Sequence, residues 1–401
     1  MRLKFHWTIW RAIAAVIFAA GLAAAVRRFT LGLGAATNLS DGFPWGIWVG
    51  FDVMSGVGLA AGGFTISAMV YVFGRERYRP LARPAIFTAF IGYLMVVGGL
   101  LFDLGHPWRI WHPIIMWNHH SVMFEVAWCV TLYTTVLAAE ASTLVFERFQ
   151  MRRSAKVAHM LAVPLTIASV LLSMLHQSSL GSMFLIAPGR LHELWYTPLL
   201  PYMFFVSAMG VGLSMTIVES NLTARSLGRA VESEILRDVA RIAVAVYGFY
   251  VAMRLGDLVV RGELGALWPI DRAAAFFLIE FLCGFALPLV LYATPGVRRN
   301  SRWLYHAAQL AVLGFLFNRL NTTITGFEVV RGVSYTPSWE EISVTLSLVA
   351  LGVTMFAIAI RQLPILEEER LPREAFRRRR LDGQRVQPHS GSGVTPAGGR
   401  V

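Results

Sequence analysis

Residues 101 to 128 read LFDLGHPWRIWHPIIMWNHHSVMFEVAW, a short loop crowded with Trp, His and Pro between two apolar runs. Asp103 stands on one side of it and Glu125 on the other. A carboxylate inside a membrane segment is costly, so it usually faces a bundle interior or a wet cavity and marks a substrate, ion or proton route. Two such acids at one depth, with His106, His112, His119 and His120 between them, are groups that could pass protons to a bound substrate. A second reading puts both acids in the headgroup zone, where they cost little, and makes Trp108, Trp111 and Trp117 members of the interfacial aromatic belt. The loop by itself leaves both readings open.

The elements that must position these groups are membrane helices. Of the 401 residues, 56% are hydrophobic and 15% charged, and the mean hydropathy is +0.56, well beyond a soluble globular protein. Apolar runs recur near 8 to 26, 46 to 73, 83 to 104, 121 to 146, 157 to 176, 197 to 219, 236 to 258, 272 to 293, 303 to 320 and 342 to 361. Runs of about 20 residues are helical lengths, roughly twice those of barrel strands, and a lipid-exposed backbone must satisfy its own hydrogen bonds. The expected fold is all-α and polytopic, with ten transmembrane helices in residues 1 to 361. The first run follows Arg2, Lys4 and Arg11, but it is long for a cleaved signal and is read as a retained span.

Orientation follows from Lys and Arg in alternate loops. Arg75, Arg77, Arg79 and Arg83 share one loop, and Arg148, Arg152, Arg153 and Lys156 another; two more hold Arg225 with Arg229, and Arg298, Arg299 with Arg302. The intervening loops carry mostly one Arg each, namely Arg109, Arg190, Arg261 and Arg331. Both termini are therefore expected in the cytoplasm of a bacterial inner membrane, although Arg27 and Arg28 run against the rule. Residues 362 to 401 are basic, contain Gly and Pro, and have too little apolar surface to fold, so a disordered cytoplasmic tail in contact with anionic lipid is expected. The net charge of +12 reflects this topology, and no nucleic-acid partner is expected.

With this topology, Asp52, Asp103, Glu125 and His176 all come out toward the periplasmic ends of the first spans. Arg254, Asp257, Asn318, Arg319, Glu340 and Glu341 gather on the same side of the later ones, where ion pairs between helices are the plainer expectation. Glu280, deeper, is expected to need one of those arginines. Glu140 and Glu219 lie toward cytoplasmic ends, where they either open a proton route or snorkel to water. Gly50, Gly56, Gly58, Gly62, Gly63, Gly92, Gly98 and Gly99 allow close helix packing or a cleft for a flat ring. Cys129 and Cys283 lack metal-binding spacing, so no metal site is expected in this chain. His176 sits at an outer end while His159 and His306 sit at inner ends beside basic loops, and from this placement no haem is expected.

FPWGIWVGFD at 43 to 52, GYLMVVGGLLFDLGHPW at 92 to 108, SVMFEVAWCVTLYTTVLAAE at 121 to 140, LHQSSLGSM at 175 to 183 and YTPSWEE at 335 to 341 closely resemble the HybB-type membrane subunit of nickel–iron hydrogenases. That is a branch of the NrfD/polysulfide-reductase membrane family, and the resemblance covers about residues 25 to 365. It implies a quinone-reactive subunit without metal cofactors, fed electrons by a periplasmic ferredoxin-like iron–sulfur protein that connects it to a catalytic subunit such as a hydrogenase. It also implies two four-helix bundles, about 46 to 176 and 197 to 320, with two extra helices. The implied pocket for menaquinone or ubiquinone lies near the periplasmic ends of the first bundle, where Asp52, Asp103, Glu125 and His176 stand in matching motifs. Some relatives have Arg where this chain has His106.

The leading expectation is a subunit of a quinone-dependent oxidoreductase. Glu125 and His176 would transfer protons, Asp103 and Asp52 would orient or relay, and His106 with Trp108 would contact the quinone. A proton path would draw on Glu140, Glu219, Arg254, Asp257, Glu280 and Arg319. Two readings from other classes stand beside it. A transporter or channel would need a polar pathway at the midplane, usually with broken helices, whereas these acids concentrate at one face. A passive anchor would leave the buried acids without a role.

Overall fold

The computed structural model describes residues 9–186 and 189–366, which form helices and turns apart from one bridge between Ser40 and Phe43. The basic tail expected from 362 lies, beyond 366, outside the described residues. The main helices are α1 (Ile9–Leu31), α2 (Trp48–Val72), α3 (Arg79–Asp103), α4 (Val122–Arg148), α5 (Arg152–Met160), α6 (Ala162–Met183), α7 (Leu200–Leu227), α8 (Ser233–Arg261), α9 (Arg272–Ala293), α10 (Ser301–Leu320) and α11 (Trp339–Gln362). Among the described residues nine of these are long and apolar enough to cross a membrane. The short amphipathic α5 is not one, nor is α10, the tenth expected span: it forms a helix, but Arg302, Gln309, Asn318 and Arg319 dilute its apolar character.

Local chemistry sets the helix ends. The Ser121 side chain accepts from the Phe124 backbone to start α4, Asp271 accepts from Ala274 to start α9, and a reciprocal capping box between Ser338 and Glu341 starts α11. α7 and α8 stop at Gly228 and Gly262, whose φ values of 63° and 76° close a helix C-terminus at little steric cost.

α2, α3, α4 and α6 pack together, α7 to α10 form a second group, and α7 joins the two by lying against α2 and α6. α1 and α11 pair with each other, α11 leans on α3, and α1 meets the end of α3 through Arg28 and Phe29 at Phe102. α2 is the most deeply buried candidate span, is π-wound at both ends and turns at Ala60–Ala61. Its glycines serve close packing: a Cβ on Gly212 of α7 would lie 2.5 Å from the Gly62 nitrogen, and the Phe315 ring of α10 occupies the space a side chain at Gly58 would need.

The Arg-rich segments meet at one end of the molecule. Arg77 pairs with Asp238, Arg83 holds Glu147 through both guanidinium nitrogens at 2.9 and 3.0 Å, and Arg225 lies over Tyr305. Arg27 and Arg28, the two exceptions to the charge rule, have specific partners at the opposite end. Arg27 pairs with Glu340 at 3.2 Å, and buried Arg28 donates to the carbonyls of Phe102 and Leu104, satisfying the C-terminus of α3.

Candidate functional site

The first set of expected site residues lies where α2, α3 and α11 meet. The π-wound Trp48–Ser55 segment carries Asp52 inward, and its Oδ2 accepts from the Thr345 hydroxyl at 2.8 Å. Gly99 makes room for it, since a Cβ there would stand 2.8 Å from that of Asp52. Asp103 is the last residue of α3, beside the two carbonyls that Arg28 caps, and its Oδ1 is buried without a partner. Below this corner, Glu341 accepts from the backbone nitrogens of Asn38 and Ser338 at 3.0 and 2.9 Å and from the Tyr335 hydroxyl. Burial and then the hydrogen bond to Glu341 push the Tyr335 phenol above its ordinary range, so it acts as a donor.

His176 belongs to a different wall. It is fully buried, and its Nδ1 stands 2.8 Å from the hydroxyl of Tyr93 on α3, whose ring meets Tyr133 of α4 edge to face at 4.5 Å. The sequence places His176 at the outer end of its span. α6 instead runs on to Met183, which at 1.5 Å per residue sets His176 about 10 Å inside that end. Among the described residues its Nε2 has no hydrogen-bond partner, nor does either amide atom of Gln177, all of them buried, while the Tyr133 hydroxyl faces the hydroxyls of Ser169 and Ser173. Thr166, Ser169, Ser173 and His176 follow one another at spacings of three and four, so they share one face of α6.

That face ends at Glu140, which accepts from Thr166 at 3.1 Å and Ser169 at 3.0 Å. Glu140 also lines a cavity of about 50 Å³ with Tyr71, Arg83, Thr143 and His159. Glu219 is buried between α7, α2 and α3, where the Thr88 hydroxyl faces it. Both acids are enclosed, so snorkelling to water does not describe them.

The second group holds its charges in hydrogen-bonded knots. The sequence leads one to expect an arginine beside Glu280, but among the described residues it accepts instead from Asn318 at 2.6 Å, Asn321 at 2.8 Å and the Trp195 indole at 2.9 Å. Arg319 donates to Asn318, Ser207 and the Phe204 carbonyl and stacks over the Phe204 ring at 3.6 Å. Arg254 donates to the Leu194 carbonyl and the Met203 sulfur. Asp257 binds Thr197 and, within its own helix, Arg261. Among the described residues no ion pair links Arg254, Asp257, Arg319 and Glu341 to one another; Asp257 pairs instead with Arg261 of its own helix, and neutral groups and carbonyls serve the other three.

The loop residues stay outside. His106 is exposed, 5.2 Å from the ring of Trp108, which is itself 66% exposed. Glu125 is half-buried on the first turn of α4, and no hydrogen bond or ion pair among the described residues joins it to Asp103 or His106. The sequence does not single out Tyr93, Tyr133, Ser169, Ser173 or Thr345, and Arg28 enters there only as an exception to the charge rule. The polar stripe on α6 was detectable by its spacing alone, whereas Tyr93 looks like any interior aromatic until the fold sets it against His176.

Comparison with known proteins agrees with this helical architecture. The family model described as polysulphide reductase, NrfD matches residues 35–331. A protein of Nitratidesulfovibrio vulgaris is 39% identical over 369 residues, covering 89% of this chain and 94% of its own. The Escherichia coli protein named "Probable Ni/Fe-hydrogenase 2 b-type cytochrome subunit" is 33% identical over 85% of this chain and 88% of its own length. Another Nitratidesulfovibrio vulgaris protein, named "Menaquinone reductase, integral membrane subunit", is 27% identical over 90% and 92%.

The name of the Escherichia coli relative corrects the expectation of a chain without haem, because a protein similar over most of its length is named a b-type cytochrome subunit. Axial ligation of haem draws on groups such as histidine. His176, with its unpartnered Nε2, offers one buried imidazole; His106, His119, His120, His159 and His306 are exposed, and His112 and His192 half-buried, so the described residues do not supply a second buried ring for a bis-histidine site. The relatives thus align along nearly the whole membrane domain, the family match reaches from the segment before α2 to the end of the helix that continues α10, and the chain belongs to the polysulphide reductase NrfD family.

Proposed function

We propose that this chain is the quinone-reactive membrane subunit of a respiratory oxidoreductase complex in a bacterial inner membrane, with α10 crossing beside the nine more apolar helices and both termini in the cytoplasm. A periplasmic iron–sulfur protein supplies or receives its electrons and links it to a catalytic subunit of hydrogenase or related type. The relatives' names support the general class, since one is a menaquinone reductase membrane subunit and another a hydrogenase subunit. The observation that carries the reading is the buried imidazole edge of His176, unpartnered at the head of a polar stripe inside an otherwise apolar bundle. Buried polar groups are normally satisfied, so an orphaned one at such a place marks a ligand position.

In this reading the quinone head group lies among α2, α3, α4 and α6. His176 and Glu125 hand over protons, Asp52 and Asp103 orient the pocket's outer wall, and His106 with Trp108 meets the partner-facing surface. Glu140 and the stripe Thr166, Ser169 and Ser173 bring protons from the cytoplasmic side, with Glu219 as a second buried carboxylate on that side. Arg254, Asp257, Glu280 and Arg319 hold the second bundle in place rather than conduct. Glu125→Gln keeps size and hydrogen bonding but removes titration. In membranes with normal complex content it should lower quinone turnover by roughly 10²-fold, the range usual for a lost general acid or base. Turnover near that of the unaltered chain removes Glu125 from the site.

A further inference from the structure

The phenol of Tyr93 has one hydrogen-bond partner among the described residues, Nδ1 of His176, and both side chains are fully buried. A neutral imidazole carries its proton on one nitrogen and accepts on the other, so this bond has two forms. If Nδ1–H donates to the phenol, the phenolic hydrogen has no acceptor and the Nε2 lone pair has no donor. If the phenol donates to Nδ1, only Nε2–H lacks a partner. The second form leaves one buried orphan instead of two and is favoured on that count. It also turns the orphan into a donor, on the face of α6 that carries Ser173 one turn earlier.

We infer that Tyr93 is the positioning residue of the quinone site, holding His176 as the Nε2–H tautomer so that its free edge donates to a carbonyl oxygen of the bound quinone. This rests on the proposed quinone reading and assigns it a specific donor atom. The hydrogen bond fixes more than the tautomer. It ties the imidazole on α6 to α3, and the Tyr133 edge contact limits how far the Tyr93 ring can swing. Tyr93 itself does not reach the substrate; it acts through His176.

The test uses the intact complex in its native membrane, with histidine labelled by nitrogen-15, and reduced-minus-oxidised infrared difference spectra, in which the imidazole ring stretches distinguish the two tautomers. The unaltered chain should show the Nε2–H form; an Nδ1–H imidazole there overturns the inference whatever any variant does. Tyr93→Phe keeps the ring contact and removes the hydroxyl. It should mix the tautomers and lower kcat by at least about tenfold, as misdirected histidine tautomers do in other enzymes, while KM for a short-chain quinone analogue moves much less. An unchanged spectrum with unchanged kcat refutes the positioning role. The quinone reading is judged separately: if neither Glu125→Gln nor His176→Phe lowers quinone turnover, that reading falls, while the tautomer signal still reports on Tyr93.

Discussion

Replacing Glu280 should damage the fold before it damages proton movement. Its two carboxylate oxygens accept three hydrogen bonds, from Asn318, Asn321 and Trp195, all within 2.9 Å and all buried. Hydrogen bonds to a charged group contribute about 1.5–3 kcal/mol each, and each donor left buried without an acceptor costs about 1–3 kcal/mol. The three share one acceptor group and do not add fully, so Glu280→Ala should cost about 4 kcal/mol, close to the penalty for breaking a buried charge pair. Glu280→Gln keeps one acceptor oxygen but turns an amide N–H toward donors, and should cost about 1–2 kcal/mol. Denaturant titration of the detergent-solubilised chain, followed by tryptophan fluorescence to which Trp195 contributes, measures both. A Glu280→Ala variant within about 0.5 kcal/mol of the unaltered chain, the scatter of ordinary surface substitutions, refutes the knot as a structural device. Loss of proton uptake in Glu280→Gln at unchanged stability would instead put Glu280 on a conducting path.

Glu140→Gln should retain quinone binding but slow proton uptake from the cytoplasmic side by roughly 10²-fold, read with a pH-sensitive dye in oriented vesicles. Uptake at the unaltered rate would remove the α6 stripe from the mechanism. Gly314→Val should prevent assembly, because α10 and α9 meet there backbone to backbone at Gly284; normal chain content in membranes would contradict it. An alkaline phosphatase fused after Arg361 should be inactive, whereas strong activity there would mean an odd number of spans.

Much of the architecture is legible in the sequence because membrane helices announce themselves by apolar length, and their ends by caps such as Ser121, Asp271 and Ser338. α10 is the instructive exception. Its buried Asn318 and Arg319 lower its apolar character, yet they are tolerated because Glu280, Ser207 and the Phe204 ring surround them. Arg27 and Arg28 mislead a charge count for a similar reason: their partners, Glu340 and the carbonyls of Phe102 and Leu104, come from segments far along the chain. Residue type singles out His176 and Asp52, which the fold buries, but depth inferred from run boundaries puts His176 two turns too far out. The Tyr93 contact spans 83 residues of sequence, and no local pattern encodes it.

Photolabelling of the intact complex with an azido-quinone, followed by mapping of the labelled peptides, tests the central claim most directly. The account predicts label on the segments carrying Asp52, Tyr93, Glu125 and His176, with protection by excess unmodified quinone. Label confined to α7 to α10, or label that excess quinone does not displace, would contradict it.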